Sequence, residues 1–443
     1  MEDEFIEHIR RKRKLEFEKL LDDEEEEMMG YQLFFSRDEP LYRRRWDSQY
    51  LLELAENEGS FVAEYRMQPS AFHCLCEMLR DSLTKVEVKQ AACSARSGSK
   101  PISVMSRVGA ALIILAGGRN VEVMRTHGVS MSFCYKNLQD VCAAINMHEN
   151  LAVNCHNDIG SLQKRAAEFK ERSSYGIMEN CVGAVDGLAI QIKLPRISDA
   201  SRPREFYSGS KKFYCLNFQG ACDANCKFIG VSCCCVGSTN DCVAFETGCL
   251  RELCGNLPFP YHWLGDAAYV CTETLMTPFP GINLHIFAPE KEATNFFISQ
   301  LRVTIERCFG IFVQTWGIFW KPMGYKLKII FEIIHTCVRL HNFLRDPMWS
   351  NTPILTSRYQ QPSSLSINRT GDGVDEVELD HIWTDPLIDE APNLTGIPIN
   401  EDEEAVERNG STGNTLRNFI KSNIERRGLQ TIVRDHHLLR NRK

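Results

Sequence analysis

The chain has 443 residues, of which 43% are hydrophobic and 25% charged, and its formal net charge is −7. That length exceeds one ordinary core and predicts two or more folded units with tails, while the longest apolar runs, such as VGAALIILAGG from Val108, fall well short of the roughly 20 residues that span a bilayer. The opening MEDEFIEHIRRKRK lacks the apolar stretch of a secretory signal, so a protein made and kept inside the cell is expected, in the nucleus and also the cytoplasm.

The acidic balance is local. Thirteen acidic residues and no lysine or arginine lie between Asp372 and Glu407, and a further acidic run, DDEEEE, begins at Asp22. Without these segments the remainder is net positive, which suits a surface that holds a phosphate backbone. The 19 cysteines are scattered, and no pair of CxxC motifs stands at zinc-finger spacing. Reduced thiols behaving as small hydrophobes are the expected state, and VSCCCVG reads as a core strand. A zinc or redox site built on Cys222 and Cys226, or on Cys233, Cys234 and Cys235, is the alternative.

Residues 1–46 form a charged arm with a basic cluster at 10–14 that is compatible with nuclear import, or with the solvated face of a helix. Residues 47–150 read as a helical unit. QYLLELAE and AFHCLCEMLRDSL have apolar residues at helical spacing, SARSGSKP interrupts them as a linker, and SVMSRVGAALIILAGG resumes the pattern. NVEVMRTHG followed by SMSFCYKNLQDVCAAIN gives helix, glycine turn and helix, with Gly128 as C-cap and Ser130 as N-cap. This is helix-turn-helix spacing. If it reads DNA, the last helix would present Ser130, Ser132, Tyr135, Lys136 and Asn137; otherwise it is a helical hairpin packed on the next unit.

Residues 151–346 switch to an α/β pattern. A strand at 182–192 leads to a basic loop carrying Arg196, Arg202, Arg204, Lys211 and Lys212. FYCLNFQGACD and CKFIGVSCCCV then read as a hairpin with Asp223 at its turn. STNDCVAFETGCLREL reads as a helix entered at Asn240 and Asp241, YHWLGDAAYV as a strand, and NFFISQLRVTIERCFG and KLKIIFEIIHTCVRLHNFLRD as helices. Residues 347–413 form an acidic linker rich in Ser, Pro and Asn. Residues 414–443 form a basic, partly amphipathic tail suited to lying on DNA or docking on a partner.

Three carboxylates interrupt segments that otherwise read as core. Asp186 stands in CVGAVDGLAIQI, Asp266 in YHWLGDAAYV and Glu306 in NFFISQLRVTIERCFG. A carboxylate among valines and isoleucines is costly unless a cation or hydrogen-bond network compensates it. Three brought together make a hard-oxygen site for Mg²⁺ or Mn²⁺. Two such ions about 3.5 to 4 Å apart can activate water and neutralise the leaving oxygen of a phosphodiester. On the last of these helices Asn295, Ser299, Arg302 and Glu306 share one face, from which Arg302 would contact a phosphate or pair with Glu306.

Together GAVDG, NFQGACD, GSTNDCVAF, WLGDAAY, NFFISQLRVTIERCFG with the following WGIFWKP, and CVRLHNF resemble the DDE endonuclease domain of PIF/Harbinger transposases and the nuclease-like proteins derived from them. The resemblance is close over 169–346 and weaker over 103–146. It implies an RNase H-like mixed sheet flanked by helices, preceded here by the helix-turn-helix-like unit. It also implies that Asp186, Asp266 and Glu306 are the metal-binding triad, and that DNA is cleaved and joined. Asp241 falls where the family has an HDS-like motif, with Asn240 and Cys242 at the flanking positions. It is either a further metal ligand or the cap of the following helix. The family further implies a separate Myb-like DNA-binding protein as partner, and an enzyme handling two DNA ends suits a homodimer. The competing reading is a DNA-binding or chromatin-associated protein that keeps the fold and has lost catalysis.

Overall fold

The computed structural model describes residues 48–94, 102–281, 284, 288–348 and 413–429. The N-terminal arm with its basic cluster, residues 95–101, nearly all of the acidic linker and the end of the tail lie outside the described residues.

The first part is helical throughout: α1 Ser48–Asn57, α2 Phe61–Tyr65, α3 Pro69–Ser94, α4 Val104–Leu115, α5 Asn120–His127 and α6 Met131–Met147. The turn between α5 and α6 follows the expected chemistry. Gly128 sits at φ 60°, the left-handed conformation that glycine adopts without a Cβ penalty. The Ser130 hydroxyl accepts from the Phe133 amide at 3.1 Å. The pair is locked to α4 through a buried polar knot, in which Asn137 Nδ2 donates to the Arg107 carbonyl at 2.8 Å and Arg107 Nη1 donates to Asn137 Oδ1 at 3.2 Å. Asn137 is therefore a packing residue, which corrects its placement on a DNA-facing surface. Tyr135 and Lys136 remain exposed, as does Ser132.

After α7, Ile159–Arg172, the chain enters a six-stranded sheet made of β1 Cys181–Gln191, β2 Tyr207–Ser208, β3 Phe213–Cys222, β4 Phe228–Val236, β5 His262–Leu264 and β6 Leu275–Met276. Between β4 and β5 stand two short helices, α8 Asp241–Thr247 and α9 Cys249–Gly255, where the sequence suggested one. The backbone is extended at Gly248 (φ −91°, ψ 167°) and pressed against Ser232, which ends the first helix. The sheet is mixed. β1 pairs antiparallel with β3, and β3 with β2 and β4; β1 pairs parallel with β5, and β5 with β6. Helices α10 Pro289–Thr315 and α11 Leu327–Leu344 cover it, giving the RNase H-like arrangement with the helical part ahead of it. One apolar cluster runs from Leu52 and Phe72 through Val141 to Phe218, Phe312 and Leu340, so the helical part and the sheet share a core.

β4 lies at the sheet's edge, so VSCCCV is only half-buried, with Cys234 exposed. This corrects its reading as a core strand, because only one side of an edge strand is covered. The last described helix, α12 Gly413–Arg426, packs on α10 and β6. Ile420, Ile424 and Leu429 join a cluster with Phe297, Leu301 and Met276.

Candidate active site

β1 carries Asp186 into the middle of the sheet, opposite Gly220 of β3. Its Oδ1 accepts from the Gly187 amide at 2.8 Å, and its Oδ2 accepts from Arg302 Nη1 at 3.1 Å. Arg302 lies on α10 and turns its other terminal nitrogen, Nη2, to Glu306 Oε1 at 2.6 Å. One guanidinium thus bridges a carboxylate of the central strand and one a helical turn further along α10.

The degree of burial differs from the sequence expectation. Side-chain exposure is 19% for Asp186 and 18% for Arg302, but 47% for Glu306. Asp266 is half-buried and lies in the turn just past β5, not within a strand. Asp186 and Asp266 are therefore both partly buried, and Glu306 is exposed. The apolar residues around Glu306 belong to the opposite face of an amphipathic helix, where Ile305, Cys308 and Phe309 enter the core. Burial raises the Asp186 carboxyl to about 6; the Gly187 amide and Arg302 pull it back, and the negative charges of Asp266 and Glu306 push it further up. That response places Asp266 and Glu306 within electrostatic reach of Asp186.

Asp241 belongs to the same neighbourhood. It does not cap α8, because Asn240 takes that role, with Oδ1 accepting from the Val243 amide at 2.9 Å. Asp241 Oδ1 instead accepts from Asn217 Nδ2 and from Gln219 Nε2, each at 3.0 Å. It approaches β1 so closely that a Cβ on Gly187 would stand 2.5 Å from that oxygen. Gly187, next to Asp186, is the gap through which a fourth carboxylate reaches the strand. Gln219 continues the chain of bonds, its Oε1 accepting from the Tyr269 hydroxyl at 2.6 Å. Burial, then the charges of Asp186, Asp241 and Asp266, push the Tyr269 hydroxyl well above its ordinary range and keep it a donor.

Asn217, Gln219 and Tyr269 are the site residues that the sequence reading missed. A signal for two of them existed. Asn217 and Gln219 are alternate polar residues in an otherwise apolar strand, so they share one face of it.

Asp186, Asp241, Asp266 and Glu306 offer hard oxygen donors only, a chemistry that fits Mg²⁺ or Mn²⁺. Among the described residues, however, no group of three or more His, Cys, Asp or Glu side chains stands close enough to hold a metal ion as placed. Arg302 accounts for this at Asp186 and Glu306, since its guanidinium bridges those two acids. No such group of cysteines stands together among the described residues either. The thiols of Cys226 and Cys308 instead donate to the carbonyls of Thr304 and Cys226. The described cysteines are free thiols.

The remaining positions on the α10 face do other work. Asn295 clamps the backbone of Phe279, accepting from its amide at 2.7 Å and donating to its carbonyl at 3.0 Å, and so does not face the acids. Ser299 is exposed. Arg196, Arg202, Arg204, Lys211 and Lys212 are exposed on the connection from β1 through β2 to β3, with Arg202 paired to Glu205 at 3.0 Å. Lys136 is exposed on α6. Asp223 is the turn residue expected, its Oδ1 accepting from the amides of Asn225 and Lys227.

Residues 185–342 match the family model of the DDE superfamily endonuclease, which supports that superfamily for this part of the chain. No curated protein matches the chain, and no solved structure does.

Proposed function

We propose that this chain, whose residues 185–342 match the DDE superfamily endonuclease, is a metal-dependent DNA endonuclease of the PIF/Harbinger transposase type, acting through Asp186, Asp266 and Glu306. The carrying observation is the bridge from Asp186 through Arg302 to Glu306, with Asp266 close enough to raise the Asp186 carboxyl. Carboxylates gathered from a central strand, a following turn and a covering helix are an electrostatic liability unless a cation belongs among them.

Asp186 is fixed by the strand ladder, Asp266 by its turn, and Glu306 reaches in from an exposed helical position, so a bound ion would be held by three elements. Two divalent ions supply an activated water and neutralise the leaving oxygen. Asp241, held by Asn217 and Gln219, is a fourth oxygen donor beside Gly187. Arg302 presents planar donors suited to a non-bridging phosphate oxygen. Arg196, Arg202, Arg204, Lys211 and Lys212, with Lys136 on α6, give charge for the DNA backbone. The same reading brings a Myb-like DNA-binding partner, a homodimer for two DNA ends and a nuclear location.

The test is nicking of DNA carrying candidate terminal repeats, with Mg²⁺ or Mn²⁺ and with chelator. Wild type is expected to cut only with metal, and Asp186→Asn and Glu306→Gln to bind DNA without cutting. Equal cleavage by both variants would remove the triad from the mechanism. The engaged state of Arg302 favours the second reading, a DNA-binding or chromatin protein without catalysis, and metal binding with no cleavage of any substrate would select it.

A further inference from the structure

We infer that Arg302 is the resident counter-cation of this carboxylate site, holding Asp186 and Glu306 together while no divalent ion is bound and releasing both when one is. The inference rests on the metal-site reading above and adds a competition within it.

Three observations support it. Arg302 commits its two terminal nitrogens to two acids on different elements, at 3.1 Å to Asp186 and 2.6 Å to Glu306. Asp186 Oδ2 is taken by Arg302 and Oδ1 by the Gly187 amide, so an ion using Asp186 Oδ2 must take it from the guanidinium. Finally, among the described residues no three acids stand close enough for a metal as placed, although four lie in the neighbourhood. The site is assembled around an organic cation.

The freedom to change lies in the right place. Asp186 is held on one side by β3, opposite Gly220, two residues beyond the last pairing of β1 with β5 at Ala184. Glu306 and Arg302 are long side chains one turn apart on α10, and Glu306 is 47% exposed. Arg302 can leave by rotamer changes without moving backbone. Its bonds are therefore open to competition from another cation. Once released, the guanidinium lies beside the acids with its donors unused, placed for a phosphate.

The test is Mn²⁺ binding to the full-length protein without DNA, by calorimetry, beside metal-free thermal unfolding. Arg302→Gln is expected to bind Mn²⁺ about three- to tenfold more tightly than wild type, the equivalent of one to two partly exposed ion pairs. Its metal-free midpoint should fall, because the acids lose their counter-charge. Arg302→Lys, which keeps the charge but spans the two acids poorly, should lie between the two and serves if Arg302→Gln does not fold. Equal or weaker Mn²⁺ binding by both variants, with wild type still binding, would overturn the competition and leave the metal site standing. Absence of Mn²⁺ binding in wild type and variants alike would overturn the metal site and the inference with it.

Discussion

The Tyr269 hydroxyl donates to Gln219 Oε1 at 2.6 Å and thereby ties the turn that carries Asp266 to the strand that flanks Asp186. Gln219 holds Asp241 with its other end, so one amide couples two acids. Tyr269→Phe removes one buried hydrogen bond and should cost about 1 kcal/mol of stability. Gln219→Leu leaves the Tyr269 hydroxyl without its acceptor and Asp241 without one of its donors, and should cost about 2–3 kcal/mol, since the groups left behind are desolvated. Urea unfolding of the metal-free protein measures both. A Gln219→Leu cost no greater than that of Tyr269→Phe would show that the amide does not couple the two sides.

Three buried histidines set the response to acid. Burial lowers His127, His262 and His341 to about 4, below their ordinary 6.5. His341 also faces Arg345, which lowers it further, while its Nε2–H donates to the Cys226 carbonyl at 2.7 Å. A depressed histidine stabilises the fold fully above 6.5, and that contribution is lost as pH falls toward 4, because the unfolded chain takes up the proton first. Each should contribute roughly 1 kcal/mol per pH unit across that window. Asp186, raised to about 6, acts in the opposite sense between pH 4 and 6. Unfolding free energy measured from pH 4 to 7 should therefore rise with pH, less steeply in His341→Gln and more steeply in Asp186→Asn. An unchanged slope in His341→Gln would show that this histidine titrates normally.

The sheet and Asp186 are legible because an apolar strand run interrupted by an acid is a local signal, whereas Glu306 stands on a helix and Asp266 past the end of β5. The roles inside the motifs were less so. CVRLHNF resembles a family signature, yet its His341 and Asn342 serve packing: Asn342 accepts from the Phe228 amide and donates to its carbonyl at 2.8 and 2.7 Å. The capping of α8 went to Asn240, one residue before Asp241, because either side chain can cap and only the approach of β3 decides which is free to do so. The sequence offers Arg302 two candidate partners, a phosphate and Glu306, and the structure pairs it with Glu306. Its bond to Asp186 spans 116 positions and has no trace in local spacing.

The helix-turn-helix reading separates on two adjacent residues. Lys136 is exposed at the start of α6, whereas Asn137 is 1% exposed and bonded to Arg107. If α6 meets DNA, Lys136→Ala should leave the thermal midpoint unchanged and reduce the slope of log affinity against log salt by about one. Asn137→Ala should do the reverse, costing about 1–3 kcal/mol because the Arg107 guanidinium loses its bond to Asn137 Oδ1 and the Arg107 carbonyl its Asn137 donor in a buried site. Fluorescence anisotropy over a salt series, with unfolding curves for the same proteins, measures both. An unaltered salt slope for Lys136→Ala would take this helix off the DNA.

The domain that matches the family ends at 342, but the fold does not. α12 returns from a distant part of the sequence to put Ile420 and Ile424 against Phe297 and Leu301 of α10, the helix that bears Arg302 and Glu306. Arg417 is 1% exposed, donates to the Pro278 carbonyl at 3.1 Å and sits 4.7 Å from the Phe279 ring. Asn295 clamps the same Phe279 from α10, so α10 and α12 fix the segment after β6 together. A chain ending at residue 346 would expose this apolar face and should be insoluble or markedly less stable. Ile424→Ala in the full chain should cost about 2–4 kcal/mol, as a fully buried side chain truncated to methyl does. Arg417→Leu should also destabilise, because two backbone carbonyls lose their donor in a dry site. Urea midpoints for the three proteins test this. A shortened chain that unfolds at the wild-type midpoint would show that α12 is dispensable, and that α10 keeps its place without it.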